Sequence, residues 1–322
     1  MTPSALVSRL VPVMPGLAIS LVVAAAATFL SEHYGAPVML FALLLGMALN
    51  FLTEADRSNA GIAFASRSVL RLGVALLGLR IGWAQVAALG WGPVALVICL
   101  VAFTIVMSIL LARLMGFHPL FGFLSGGATA ICGASAALAI AAALPAHERK
   151  EEATLFTVIG VSALSTLAMI AYPPIAGWLG LDHRLAGIFI GATVHDVAQV
   201  VGAGYAISPE TGDTATIVKL VRVALLLPVI LVAGQIARRG SDGAGIRPPL
   251  LPWFVIAFIA LVMLNSLVAL PPVVSDAGAT LSRWCLVTAI AAIGMKTHLG
   301  SIVKVGPRPA VLMILETLLL AA

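Results

Sequence analysis

The stretch GGATAICGASAALAIAAA, residues 126–143, decides how this chain is read. It places three glycines, a threonine, a cysteine and a serine inside an apolar run that is otherwise long enough to be a helix. Gly126, Gly127, Thr129 and Gly133 weaken a continuous helix, each glycine by about 1 kcal/mol relative to alanine. In lipid a broken backbone is tolerated only where protein or a watery cavity surrounds it. The segment is therefore expected to be a discontinuous helix whose halves meet around residues 129–134. Its second half would offer free N–H groups and partial positive charge beside the Thr129 and Ser135 hydroxyls, with Cys132 and Gly133 in the break. Such a site suits an anion. Close helix packing competes with this reading, because Gly122 and Gly126 form a small-xxx-small pair. The clustering of Gly, Thr, Cys, Gly and Ser within about two turns favours the break.

The rest of the chain supplies the solvent for that argument. Its 322 residues are 61% apolar and 10% charged, with a mean hydropathy of +1.12, against about 45–50% and about 25% in soluble domains. The ten-residue alternation of a β-barrel is absent. These features define an all-α polytopic membrane protein with the lipid bilayer as its partner. The net charge of +5 comes from lysines and arginines scattered between apolar runs, not gathered on a basic face, so nucleic acid is not an expected partner. Cys99, Cys132 and Cys285 lie inside apolar runs in an odd number, which implies neither a disulfide framework nor a metal site. No cofactor is implied, and no phosphate-binding G-x-x-x-x-G-K-[ST] pattern occurs. The oligomeric state stays open, a homodimer included.

Apolar runs at residues 14–31, 37–53, 61–82, 92–113, 119–145, 153–177, 185–206, 214–237, 251–270, 275–297 and 302–322 predict eleven spans. The last run stops in mid-helix, as a truncated or blunt end would. Alternate loops collect Arg9, Arg57, Arg113, Arg184, Arg238, Arg239, Arg247, Lys296, Lys304 and Arg308 on one side, and Arg80, Arg149 and Lys150 on the other. The positive-inside rule then puts the N-terminus in the cytoplasm. SVLRLGVALLGL (68–79) resembles KLVRVALLLPVI (219–230), aligning Arg71 with Arg222. The alignment suggests an extra first helix over 1–36 and two five-helix units over 37–178 and 179–322. Five is odd, so the copies would be inverted, an arrangement that recurs in secondary transporters. The same offset sets the break of the fifth run against Arg283 in the tenth.

A second stretch, GATVHDVAQVVGAG (191–204), puts Gly191, His195 and Gln199 on one face of a helix, with Asp196 one position round. Ionisable residues at that depth are costly and point to function. His195 titrates near neutrality, so His195, Asp196 and Gln199 are read as a proton-coupling group, and helix-gluing polarity is the competing account. Arg67 and Lys219 are expected to snorkel to the interface. The deeper Arg71 and Arg222 would line an anion path, with Glu316 as a partner for one of them. The substrate-binding set is then Thr129, Cys132, Gly133, Ser135, Arg71 and Arg222, and no residue is assigned a catalytic role.

GATAICGASAALA (127–139), GATVHDVAQVVGAG and LRLGVALLGL (70–79) together resemble the YeiH-like sulfate exporter family of bacterial inner-membrane proteins, over nearly the whole chain. The family commonly has Glu after the His where this chain has Asp196. The resemblance implies a multi-pass inner-membrane carrier. Its implied fold is similar to the cation/proton antiporters and bile-acid transporters, with inverted repeats and crossing broken helices. Antiporters of that group carry acidic residues at the crossing, whereas residues 119–145 have none, which argues against a cation site there. A secondary transporter of a small anion is the leading expectation. A sodium- or proton-coupled carrier of another solute is the alternative. An intramembrane serine hydrolase is a further reading, which requires Ser135 and His195 within hydrogen-bond reach.

Overall fold

The computed structural model describes residues 11–35, 37–53, 56–81, 83–145, 149–240, 253–268, 271–297 and 307–322. Arg9, Arg247, Lys304 and the stretch 302–306 of the last expected span lie outside the described residues, as do the ends of the run 251–270. Regular structure among the described residues is helical. In chain order the helices are α1 (Met14–Tyr34), α2 (Val38–Ala48), a 3-10 turn (Asn50–Thr53), α3 (Asp56–Phe64), a π turn (Ala65–Val69), α4 (Leu70–Leu77), α5 (Trp83–Leu89) and α6 (Trp91–Leu114). They continue with α7 (Pro119–Ala130), α8 (Ala134–Ala143), α9 (Lys150–Trp178), α10 (His183–Thr193), α11 (Val197–Ile207) and α12 (Pro209–Ala224). The last four are α13 (Leu226–Gly240), α14 (Trp253–Leu267), α15 (Pro272–Lys296) and α16 (Pro307–Ala321). Among the described residues, six helical stretches are long and apolar enough to cross a membrane: Met14–Tyr34, Arg57–Leu77, Trp91–Leu114, Lys150–Trp178, Pro209–Ile236 and Val273–Lys296.

Residues group into two compact units, each drawing on both halves of the chain. The first comprises 1–88, 201–207 and 253–298. Here α2 lies against α15 and α1 against α3, at contacts built from glycine pairs. A Cβ on Gly46 would strike the Ala291 carbonyl, one on Gly294 the Leu43 carbonyl, and one on Gly16 the Ser58 carbonyl. Ile62, Ala65, Ala292 and Met295 form a core beside these contacts. Backbone on both sides cannot retreat as a side chain would, so Gly294→Leu is expected to cost at least the roughly 1–3 kcal/mol of an overpacked core. Thermal denaturation in detergent would measure it, with Gly234→Ala, which faces open space, as a control expected to be close to neutral.

The offset between the two resembling segments sets Arg283 of the tenth run against the break of the fifth. Helix α15 runs unbroken through the exposed Arg283, because TLSRWCLVTAI contains no residue that stops a helix, and Ser282 Oγ donates to the Gly73 carbonyl at 2.7 Å. Arg67, in the π turn, and Arg71, on α4, are exposed in this unit.

The second unit comprises 89–200, 208–252 and 299–322 and contains both stretches singled out above. Helix α7 packs on α6 through Gly122 and Gly126, where a Cβ would meet the backbone or Cβ of Ser108. The two readings of the opening stretch therefore divide its glycines. Gly122 and Gly126 serve packing, and Gly133 serves the break.

Candidate functional site

The fifth run stops at Ala130 and restarts at Ala134. Gly133 stands between them at φ 64°, ψ −131°, a conformation open essentially to glycine alone, and its N–H bonds to Ala128 O at 2.8 Å. The seventh run is also broken, which corrects the single continuous face expected for Gly191, His195 and Gln199. Helix α10 ends at Thr193 and α11 begins at Val197, so His195 and Asp196 are the linker itself. Asp196 Oδ1 accepts the Ala198 N–H at 2.9 Å, capping α11. Its own N–H donates to Ser165 Oγ on α9 at 3.0 Å. The two breaks adjoin, since a Cβ on Gly133 would lie 3.7 Å from Asp196 Cβ and 3.8 Å from its Oδ2.

A helix that stops inside a protein leaves its last carbonyls without partners. Here α12 supplies the donors. It lies against α10 over Gly187 and Gly191, where a Cβ would meet Thr214 and the Ala215 carbonyl, and this contact carries Lys219 and Arg222 into the crossing. Arg222 donates to Thr129 O at 2.9 Å and Ala130 O at 2.7 Å on one broken helix, and to Gly191 O at 3.1 Å and Val194 O at 3.0 Å on the other. Lys219 Nζ donates to Ile131 O at 2.6 Å, to Val194 O at 2.9 Å and to His195 O. The three acceptors around this nitrogen match the three N–H bonds of an ammonium. These cations sit at the negative ends of two helix dipoles, and the Asp196 carboxylate at a positive end. Lys219 does not snorkel. Its side chain is completely buried, because the carbonyls it satisfies lie inside the fold.

The other candidate residues separate. Thr129 is buried, and its hydroxyl donates to Glu316 Oε2 at 3.2 Å. Glu316 was expected to pair with an arginine. Its carboxyl instead meets the Ser108, Ser125 and Thr129 hydroxyls, because α16 packs on α6 and α7, away from α12. Cys132 is buried in the break, and Ser135, in the first turn of α8, is exposed. Gln199 Nε2 reaches Thr166 Oγ1 at 3.5 Å, while its Oε1 has no hydrogen-bond partner among the described residues.

His195 is fully buried, with Nε2 3.0 Å from Thr317 Oγ1 and Nδ1 without a partner among the described residues. The Thr317 hydroxyl also lies 2.8 Å from Met313 O; when it donates there, His195 Nε2 is the donor of the pair. The Ser135–His195 bond that a hydrolase requires is not made, since Ser135 is exposed and the His195 ring has Thr317 as its hydrogen-bond partner. Sequence reasoning missed the Ser108, Ser125 and Thr317 hydroxyls, which are ordinary residues of apolar runs until Glu316 and His195 give them partners.

Fold and site together define a multi-pass, all-helical membrane protein with two helices broken at a common, charge-compensated point. A family model described as Conserved hypothetical protein 698 matches residues 15–313, and the chain belongs to that family, the UPF0324 membrane proteins, in agreement with the YeiH-like resemblance of its motifs. Relatives include UPF0324 membrane protein CT0845 of Chlorobaculum tepidum, 56% identical over 95% of this chain and 87% of its own length. The UPF0324 membrane proteins TauZ of Paracoccus pantotrophus and Paracoccus denitrificans are 55% and 54% identical, each over 95% of this chain and 92% of their own. No solved structure matches.

Proposed function

We propose that this protein is a secondary transporter of a small anion, sulfate or a small organosulfonate, working by alternating access and coupled to protons, in the bacterial inner membrane with its N-terminus in the cytoplasm. The observation that carries the reading is the start of α8. This helix opens at Gly133 with no side-chain cap, beside Asp196, which caps α11. Half-helix N-termini at such breaks are where transporters hold anionic groups. The substrate would bind along Gly133 to Ser135, with Thr129 and Cys132 lining the break and the field of Lys219 and Arg222 behind it. Uptake of a second proton by the His195 ring would add a positive charge and a donor, and raise the affinity for an anion. The eleven spans expected from the sequence, arranged as inverted units over 37–178 and 179–322, go with this reading.

Thermal stabilisation of the purified protein by sulfate, sulfite, thiosulfate, methanesulfonate and ethanesulfonate tests it. A ligand at 100-fold its Kd adds about 2.7 kcal/mol of stability. One of these anions is expected to raise the Tm of the wild type and to lose much of that effect in Ser135→Ala and His195→Ala. If none does so while sodium or a neutral solute does, the anion reading is wrong.

A further inference from the structure

Glu316 is 1% exposed, and among the described residues no lysine, arginine or histidine forms an ion pair with it. An isolated carboxylate is among the costliest groups to bury, so its surroundings must explain its presence. Those surroundings are three hydroxyls. Ser125 Oγ donates to Glu316 Oε1 at 2.6 Å, Thr129 Oγ1 reaches Oε2 at 3.2 Å, and Ser108 Oγ contacts Oε1. Ser108 is the informative member. Its single hydroxyl hydrogen has two acceptors within reach, the Gly122 carbonyl at 2.7 Å and Glu316 Oε1, and it can be directed to only one of them. Two oxygens in contact need one hydrogen between them. When the Ser108 hydrogen serves Gly122 O, the hydrogen between Ser108 and Glu316 has to come from Glu316 Oε1; when it serves Glu316, none is needed there.

We propose that Glu316 is a proton-binding site: its carboxyl holds a proton on Oε1, donates it to Ser108 Oγ, and takes up and releases that proton as the protein works. The cradle fits both states. With the proton bound, Ser108 donates to Gly122 O and accepts from Glu316. On release the proton leaves to water, the carboxylate remains, and the Ser108 hydroxyl turns from Gly122 O to Oε1, so that Ser108, Ser125 and Thr129 all donate to the anion. Gly122 lies in α7, so the exchange also reaches the helix that ends at the crossing.

The charged and titratable groups around this site are few. Arg222 is reached through Thr129, whose carbonyl it holds, and His195 through Thr317. On the helices packed against α16, Arg113 is in the last turn of α6, Lys150, Glu151 and Glu152 open α9, and His183 and Arg184 open α10. Helix α7 carries no charged residue.

As a coupling site, this assignment rests on the transport reading; as a proton site, it does not. Infrared difference spectra of the purified wild type between acid and alkaline pH are expected to contain a protonated-carboxyl C=O band that is absent from Glu316→Gln and displaced in Glu316→Asp. Gln can still donate to Ser108 Oγ, so Glu316→Gln is expected to fold as the protonated form does. Ser125→Ala, which keeps the carboxyl and removes one donor, should shift the band without abolishing it, and secures the test should the Gln variant not fold. Spectra of wild type and Glu316→Gln that coincide overturn the proposal, and so does a Glu316 band that keeps its full intensity across the pH range in which the protein is stable. Anion stabilisation assayed on the same samples separates the two failures. A titrating Glu316 with no responding anion removes the transport reading and leaves the proton site.

Discussion

Arg222→Ala is expected to remove most of the folded protein. Among the described residues the side chain is the largest of the fully buried ones, and its four hydrogen bonds hold the ends of two different broken helices. Hydrogen bonds from charged groups contribute about 1.5–3 kcal/mol each, and removing one member of a buried charged arrangement costs about 3–5 kcal/mol. The larger part of that loss is the stranding of the Thr129, Ala130, Gly191 and Val194 carbonyls away from water. Set against a total stability of about 5–15 kcal/mol, this loss should appear as aggregation in detergent or a large fall in Tm, read by fluorescence-detected size exclusion and thermal denaturation. Arg222→Lys keeps the charge and is expected to recover only part of the loss, because one ammonium cannot span four carbonyls on two helices as a guanidinium fork does. Exposed Arg71 on α4 provides the comparison, and Arg71→Ala should fold normally. A melting temperature of Arg222→Ala close to the wild type would show that the carbonyls find other donors, and would remove Arg222 as the organiser of the crossing.

What the sequence discloses about this crossing depends on how far each residue's partners lie from it. The break at Gly133 is legible because its cause is local: three glycines stand in a run too dry to tolerate them without reason. The His195–Asp196 pair is legible as a costly pair of ionisable residues. Its role as the linker of a second break is not, since Thr193 and Val194 do not terminate helices, and the donors that stabilise the break come from Lys219 and Arg222, 24 to 31 residues on. Lys219 could be taken for an interfacial residue because snorkelling depends on depth, and depth depends on packing. Glu316 was the least legible of all. Its hydroxyl partners are 208, 191 and 187 residues away, and a serine in an apolar run gives no sign of whether it bonds its own helix or a distant carboxyl. Of the two arginines that the sequence offset aligns, the structure buries Arg222 and exposes Arg71.

The second large effect is expected at Gly133, through the backbone alone. Around its Cα there is room, since an added Cβ would meet nothing closer than 3.7 Å. The obstacle is the pairing of φ 64° with ψ −131°, which a side chain resists even where space is free. Gly133→Ala is therefore expected to cost about 1–3 kcal/mol, or to push residues 131–133 into a conformation that withdraws the Ile131 carbonyl from Lys219. Gly35 separates this cause from glycine replacement in general. It also has a positive φ, 67°, with nothing within 4 Å, but its ψ of 16° lies near the left-handed helical region that asparagine adopts readily. Gly35→Asn should melt close to the wild type. Gly133→Asn should be as damaging as Gly133→Ala, because asparagine gains nothing at a ψ so far from that region. Melting temperatures of the three variants decide the matter. If Gly133→Asn proves as mild as Gly35→Asn, the break is free to relax, and the fixed N-terminus of α8 on which the anion site depends is not held by its glycine.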